Sequence, residues 1–220
     1  MTRTGGGPAP SSTAPSQAAP SQPAPSPTAP GGPVAREAAL VELVDPTGAA
    51  LGHCTVAAAH RAPGRLHRAF SVLLVDEQGR LLLQQRAEVK TRFALRWGNA
   101  CCGHPAPGER VVDAAARRLA EELGVPPLPL TEVGVYLYRA GDTTTGRVEY
   151  EYDHVLVGRV DSSVPLTPDP AEVAAVNWVQ PAQLTADIDV SPARYAPWLG
   201  GVTRTWANQA RLPGTGQVPG

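Results

Sequence analysis

The chain has 220 residues, 42% of them hydrophobic and 18% charged, with 19 basic against 20 acidic side chains and a net charge of -1. That length suits one domain of ordinary size with residues left over. The charge balance speaks against a general nucleic-acid binder, and no stretch approaches the ~20 apolar residues of a membrane span.

Residues 1–33 are almost entirely Pro, Ala, Ser, Thr and Gly. Such a segment buries too little apolar surface to offset its conformational entropy, so it is expected to be a disordered tail. It has no apolar run of signal-peptide length and no basic amphipathic pattern. The three cysteines include an adjacent pair, Cys101 and Cys102, and form no disulfide framework. A reducing cytoplasm is the expected compartment. Residues 38–210 are expected to form a single folded domain, and residues 211–220 a Gly/Pro tail.

In chain order, Ala39 to Asp45 and Leu51 to Val56 read as a hairpin about the Pro46-Thr47-Gly48 turn. Ala69 to Val75 is a buried-strand run, Asp76 to Gly79 a turn, and Arg80 to Arg86 the return strand. A loop over 87–96 carries Lys90 and Arg92 and leads to Trp97. From Val112 to Leu123 the apolar residues Val112, Ala115, Ala116, Leu119 and Leu123 recur at helical spacing, and Gly124 stops the helix. Strands follow at Thr131–Tyr138, Val148–Val157 and Glu172–Val179. A short helix is expected at Pro181–Ala186 and a last helix at Tyr195–Ala210. Strands on both sides of a central helix, mostly joined by hairpins, predict an α+β fold: an α/β/α sandwich with a mixed sheet flanked by helices.

The stretch from Asn99 to Val125, NACCGHPAPGERVVDAAARRLAEELGV, concentrates the chemistry. Gly103, Glu109, Arg117, Glu121, Glu122, Gly124 and Val125 fall on the pattern G-x5-E-x7-R-E-U-x-E-E-x-G-U, in which U is aliphatic. This resembles the Nudix box, a loop-helix-loop that holds a divalent ion against a diphosphate. One fixed position departs: Arg118 stands where the box has a glutamate. That exchange removes a metal-type carboxylate and offers a cation to a phosphate oxygen.

Histidines supply a second constellation. His60 and His67 flank a Pro63-Gly64 turn, and His104 sits in the central turn. Glu149 and Glu151 stand two apart on a predicted strand and so face the same side. Three imidazoles and two carboxylates make a mixed nitrogen and oxygen donor set for a divalent ion; the ordinary alternative is scattered surface charge.

Taken together, His60…Arg65-Leu66-His67, Trp97-x-Asn99-x-Cys101-Cys102-Gly103-His104-Pro105, Arg117-Arg118 with Glu122-Leu123-Gly124, Tyr138-Arg139-Ala140, Glu149-x-Glu151 and Pro197-Trp198 resemble the type I isopentenyl-diphosphate isomerases, a family with a Nudix-like fold. The resemblance covers roughly residues 38–207. It implies an isomerase of isoprenoid biosynthesis that interconverts isopentenyl and dimethylallyl diphosphate. It implies one tightly bound divalent metal (Mn2+, Zn2+ or Mg2+) at His60, His67, His104, Glu149 and Glu151. It implies that Cys102 is the catalytic thiol, and that Glu151 is the second catalytic group with Tyr138 beside it. Glu122 and the main-chain carbonyl of Cys102 would hold Mg2+ on the substrate diphosphate, with Arg86, Lys90 and Arg118 as phosphate ligands and Trp198 as the aromatic wall by the alkene. A lysine is usual in the family four residues before the first histidine; here that position is Val56, and Arg92 is the candidate replacement. Cys101 reads as a small buried residue.

The implied reaction wants these residue types. An unactivated alkene is a weak base, so an acid must be held close and in line. The resulting tertiary cation must be kept from water and faced by an aromatic ring. The competing expectation is a Nudix diphosphohydrolase, which has no use for Cys102 or the histidines. The expected partner is a small prenyl diphosphate, with no nucleic acid and no membrane, and the expected state is a monomer.

Overall fold

The strand predicted at 69–75 becomes the middle of the sheet because both of its faces are apolar. The computed structural model describes residues 1, 2 and 32–210; of the expected tails at 1–33 and 211–220, residues 3–31 and 211–220 lie outside the described residues, while residues 32 and 33 open a helix instead of continuing the tail. In chain order the elements are α1 (Gly32–Ala38), β1 (Leu40–Val44), β2 (Ala50–Thr55), α2 (Val56–Ala59), β3 (His67–Val75), β4 (Leu81–Arg86), β5 (Trp97–Asn99) and β6 (Cys101–Gly103). They continue with α3 (Val111–Leu123), β7 (Leu130–Gly141), β8 (Val148–Arg159), β9 (Val173–Val179), α4 (Pro181–Val190) and α5 (Leu199–Ala210). A single 3-10 turn, Pro192–Arg194, separates α4 from α5.

The described strands form one mixed nine-stranded sheet. β3 pairs in parallel with β8 from His67↔Glu151 to Val75↔Arg159, and antiparallel with β6 from Phe70↔Gly103 to Val72↔Cys101. β7 returns antiparallel on β8, while β4 carries β5 and β9. Alternation along β3 splits the core. Phe70, Val72 and Leu74 pack with Leu119 and Leu123 of α3, while Leu73 and Val75 pack on the other face with Leu199 and Val202 of α5. This is the expected sheet flanked by helices, and no described helix is long and apolar enough to cross a membrane.

Several local forms follow from sequence. In α3 the buried stripe is Val111, Ala114, Ala115, Leu119, Glu122 and Leu123, so at its start it falls one residue ahead of the expected one. Val112 packs at the rim of that core. Gly124 ends the helix at φ 66°, a left-handed conformation that glycine adopts without a Cβ clash, and its N–H reaches Ala120 O. α2 is a single turn whose Thr55 Oγ accepts from Ala58 N at 3.2 Å. It delivers His60 at its C-terminus. β8 has an unusual pleat: its inward face carries Glu149, Glu151 and Asp153 before Val155, while Tyr150, Tyr152 and His154 are only partly buried. Three acids where a core strand would place aliphatics mark the position of the site.

Candidate active site and metal centre

Five side chains converge at one end of the sheet. His60, His67, His104, Glu149 and Glu151 place a possible ligand atom each within 4.8 Å of one another. The imidazole centroids lie 4.7, 5.2 and 4.8 Å apart. Their supports come from four elements. His60 ends α2, His67 opens β3 opposite Glu151, and His104 follows β6.

The outer atoms of these residues are already committed. Nδ1 of His60 lies 2.8 Å from Val56 O, and Nδ1 of His67 lies 2.8 Å from Arg65 O. Each Nδ1–H donating to a carbonyl leaves the Nε2 lone pair facing inward. Glu149 Oε1 accepts from Arg92 Nε at 2.9 Å, and Glu151 Oε2 accepts from Tyr138 OH at 2.7 Å. Inward, His60 Nε2 lies 2.7 Å from Glu149 Oε2, yet neither atom has an aligned hydrogen-bond partner, nor does His67 Nε2. Orphaned buried polar atoms are rare, and a divalent ion would satisfy all three. Burial brings the His104 pKa down to about 4 against the pull of Glu151, with His67 and His60 adding to the fall, so the ring is a neutral ligand at physiological pH. The set fits a metal.

The groups expected to react lie in and beside this cluster. Cys102, Tyr138, Glu151 and Trp198 line a cavity of about 550 Å³. Cys102 Sγ is 3.1 Å from Asn99 Oδ1 and 3.5 Å from Ser71 Oγ. Burial pushes its pKa up to about 12, with Asp153 adding to the rise, so the sulfur is a thiol that donates to Asn99. Burial, then the Glu151 charge, holds the Tyr138 hydroxyl protonated. Trp198 is 3% exposed. Its indole Nε1 donates to the same Asn99 Oδ1 at 3.1 Å. The Phe93 ring stands edge-on to it at 5.5 Å. Gly103 fits here because a Cβ would press on the Phe70 ring.

At the other end of the cavity, cations gather. Arg118 donates to Glu122 Oε1 at 2.5 Å and to Glu172 Oε1 at 2.9 Å. Glu172 is 1% exposed and also meets Lys90 and Arg36. Glu122 is buried, and its other oxygen accepts from Gln84 Nε2 at 2.9 Å. Glu121 stays partly exposed with Arg117. Burial lowers the Lys90 pKa to about 7, with Arg86 and Arg118 adding to the fall against Glu122. Arg86 lies 5.4 Å from the Trp198 ring centroid and donates to the carbonyls of Arg92 and Phe93.

The residues singled out by sequence thus meet along one cavity and the cluster beside it, except Glu122, which is buried and reaches the cavity only through its ion pair with Arg118. Arg92 stands at the metal end, bridging Glu37 and Glu149. Cys101 is fully buried in the core on the α3 side, as expected. Sequence reasoning gave no role to Gln84, Asn99 or Glu172, nor to Ser71 and Asp153, which share a 2.8 Å hydrogen bond behind Cys102. Trp97-x-Asn99 was visible as a motif, but a buried amide fastening both the thiol and the indole was not. It also missed α1, whose Arg36 and Glu37 reach the two ends of the site.

Comparison with known proteins places the chain in a family. Residues 65–199 match the NUDIX domain family. The isopentenyl-diphosphate Delta-isomerase of Nocardia farcinica is 65% identical over 162 residues, covering 74% of this chain and 91% of that one. The Streptomyces coelicolor protein of the same name is 54% identical over 68% of this chain and 75% of its own length. The Halorhodospira halophila one is 46% identical over 72% and 90%. Among solved structures, a Deinococcus radiodurans protein superposes with a TM-score of 0.61 at 21% identity, covering 76% of this chain and 99% of that one. A MutT protein of Methanosarcina mazei does so at 0.52 and 15%, covering 67% and 96%. These two likenesses are of fold.

Proposed function

The chain belongs to the isopentenyl-diphosphate Delta-isomerase family of NUDIX domain proteins, and from that premise we propose how its residues interconvert isopentenyl and dimethylallyl diphosphate. The observation that carries the reading is that Cys102 and Glu151 open onto one cavity whose far end is lined by Lys90 and Arg118. A hydrolase needs no thiol there, and Arg118 stands where the hydrolytic box has a carboxylate. The hydrolase alternative therefore has the weaker support.

Arg86, Lys90 and Arg118 bind the diphosphate, and Glu122 with the Cys102 carbonyl would hold a Mg2+ ion on it. Binding at this remote end orients the alkene between Cys102 and Glu151. These two groups add one proton to the terminal methylene carbon and remove one from the carbon on the other side of the double bond. Protons balance, and the double bond moves by one position. Tyr138 holds the Glu151 carboxyl by its 2.7 Å hydrogen bond. Trp198 faces the positive charge that develops between the two steps, worth roughly 2 kcal/mol when desolvated. Phe93 and Tyr138 flank that ring and exclude the water that would trap the cation. His60, His67, His104, Glu149 and Glu151 would hold a Mn2+, Zn2+ or Mg2+ ion, which supplies a fixed positive charge that tunes the Glu151 carboxyl.

The enzyme works as a monomer in this reading, since every group named belongs to one chain. A cytoplasmic setting suits it, since Cys102 acts as a free thiol. The test is a 31P and 1H NMR time course of isopentenyl diphosphate with the protein and Mg2+. Dimethylallyl signals with both phosphorus resonances retained are expected. Release of inorganic phosphate would make the protein a hydrolase.

A further inference from the structure

Four cations, Arg36, Arg86, Lys90 and Arg118, line the phosphate end of the cavity, and two buried carboxylates, Glu122 and Glu172, answer them. Glu172 alone is shared by Arg36, Lys90 and Arg118. It has two oxygens for three cationic groups, and one cation also leans on Glu122. Glu121 takes the other Arg118 nitrogen at 2.6 Å, so the four cations meet three carboxylates and the cluster stays one negative charge short. Arg36 shows the shortage directly: its Nε is buried and has no hydrogen-bond partner among the described residues. A guanidinium offers five donors in a fixed fork that matches phosphate oxygens.

Position and fastening agree with this. Successive residues of a helix diverge by about 100°. Arg36 and Glu37 accordingly go to different places. Glu37 Oε1 accepts from Arg92 Nη1 at 2.7 Å and from Thr91 Oγ at 2.9 Å. Arg92 in turn holds Glu149. Glu37 therefore pins α1 over the loop at 87–96 and leaves Arg36 presented to the cavity. Val56, facing the same cavity from α2, is apolar and brings no cation of its own.

We propose that Arg36 is a further ligand of the substrate's diphosphate, presented by α1 and fastened by Glu37. The inference rests on the isomerase reading above for the substrate and on the geometry of α1 for the residue. In the resting site Arg36 is ion-paired with Glu172. With a diphosphate present, the unpartnered Nε–H turns to a phosphate oxygen, and Glu172 remains the common anchor of the cations around it. Arg36 lies at the non-reacting end, so it contributes equally to ground and transition states. Its loss raises KM and leaves kcat nearly unchanged.

Calorimetric titration of inorganic diphosphate with Mg2+ into the full chain tests this, alongside steady-state kinetics with isopentenyl diphosphate. R36A is expected to weaken diphosphate binding about tenfold, the scale of one charge-assisted contact. KM should rise by the same factor, with kcat within about twofold. R36K should recover part of the affinity. R110A, which removes an exposed cation outside the cavity, should bind as wild type. Diphosphate binding by R36A within twofold of wild type overturns the proposal, as does an equal loss in R110A, which would mark a long-range charge effect. Should R36A not fold, R36Q keeps the stem without the charge, and wild-type affinity in folded R36Q overturns the proposal equally. Failure of the wild type to isomerise, with the R36A binding loss intact, would sink the isomerase reading and leave Arg36 as a diphosphate ligand.

Discussion

At the scale of single residues, Asn99 organises more than its size suggests. Its Oδ1 takes the Cys102 thiol and the Trp198 indole, and its Nδ2 donates to Val72 O at 3.1 Å and Cys101 O at 2.7 Å. Asn99→Ala would leave four buried polar groups without that partner, each costing about 1–3 kcal/mol. We expect a loss of about 4 kcal/mol or more in urea unfolding, with turnover falling at least tenfold because thiol and ring both lose their orientation. Wild-type stability in this variant would refute the role. Cys102→Ala and Glu151→Gln remove the two groups proposed to react. Each should lower kcat by roughly 10²–10⁴, the usual worth of a positioned acid or base, while diphosphate affinity stays within a few-fold. Near-normal rates from either would dismiss the assignment, and a dead Cys101→Ala enzyme would mean that the neighbouring thiol is the reactive one. The residues proposed to react could be picked out in the sequence because they sit in dense motifs with fixed spacing. Gln84, Asn99 and Glu172 were not, since each stands alone in an ordinary strand or loop and acquires meaning only from residues distant in the chain.

At the scale of elements, the loop over 87–96 depends on a clamp from outside itself. Phe93 and Leu95 adopt φ of 48° and 60°, a strained conformation for side chains of that size. Asp142, at the end of β7, accepts the Phe93 N–H at 2.9 Å and also binds the turn at Thr144 and Thr145. Burial alone would raise the Asp142 pKa, but the Phe93 and Thr144 N–H groups outweigh it and hold it below the usual carboxylate range. The sign follows: this contribution is present above the unfolded value near ~4 and is lost as pH falls through the lower folded value. Asp142→Asn should therefore be less stable than wild type by about 1 kcal/mol at pH 7, with the gap closing only below about pH 4 in denaturant titrations. A gap that vanished by pH 6 would assign the clamp to another group. The long strands, α3 and α5 were readable from periodicity and end signals. β5 and β6 were not, because three residues cannot show alternation, and α1 was not, because its apolar content is too low to mark a helix face.

At the scale of the whole molecule, the sandwich was foreseeable from alternating strands around a central amphipathic helix, but not the pairings that bring His67 against Glu151 and Ser71 against Cys102. Those pairings gather α2, β3, β6 and β8 around one donor set. A ligand that binds only the assembled set stabilises the folded chain, by about 2.7 kcal/mol when present at a hundred times its Kd. Chelation should accordingly lower the melting temperature and abolish turnover, with both restored by adding back divalent metal. A melting curve and rate indifferent to chelator would dismiss the cluster as a metal centre. The parallel ladder between β3 and β8 has one more consequence, for the order of events in folding. Its strands are separated by nearly half the described chain, so closing it comes late and slowly compared with the β1–β2 hairpin or α3. Glu149 and Glu151 reach the histidines only when that closure is complete. A refolding chain followed by Trp fluorescence and by metal uptake should bury its tryptophans before it captures the ion, and the captured ion then marks molecules that have finished folding.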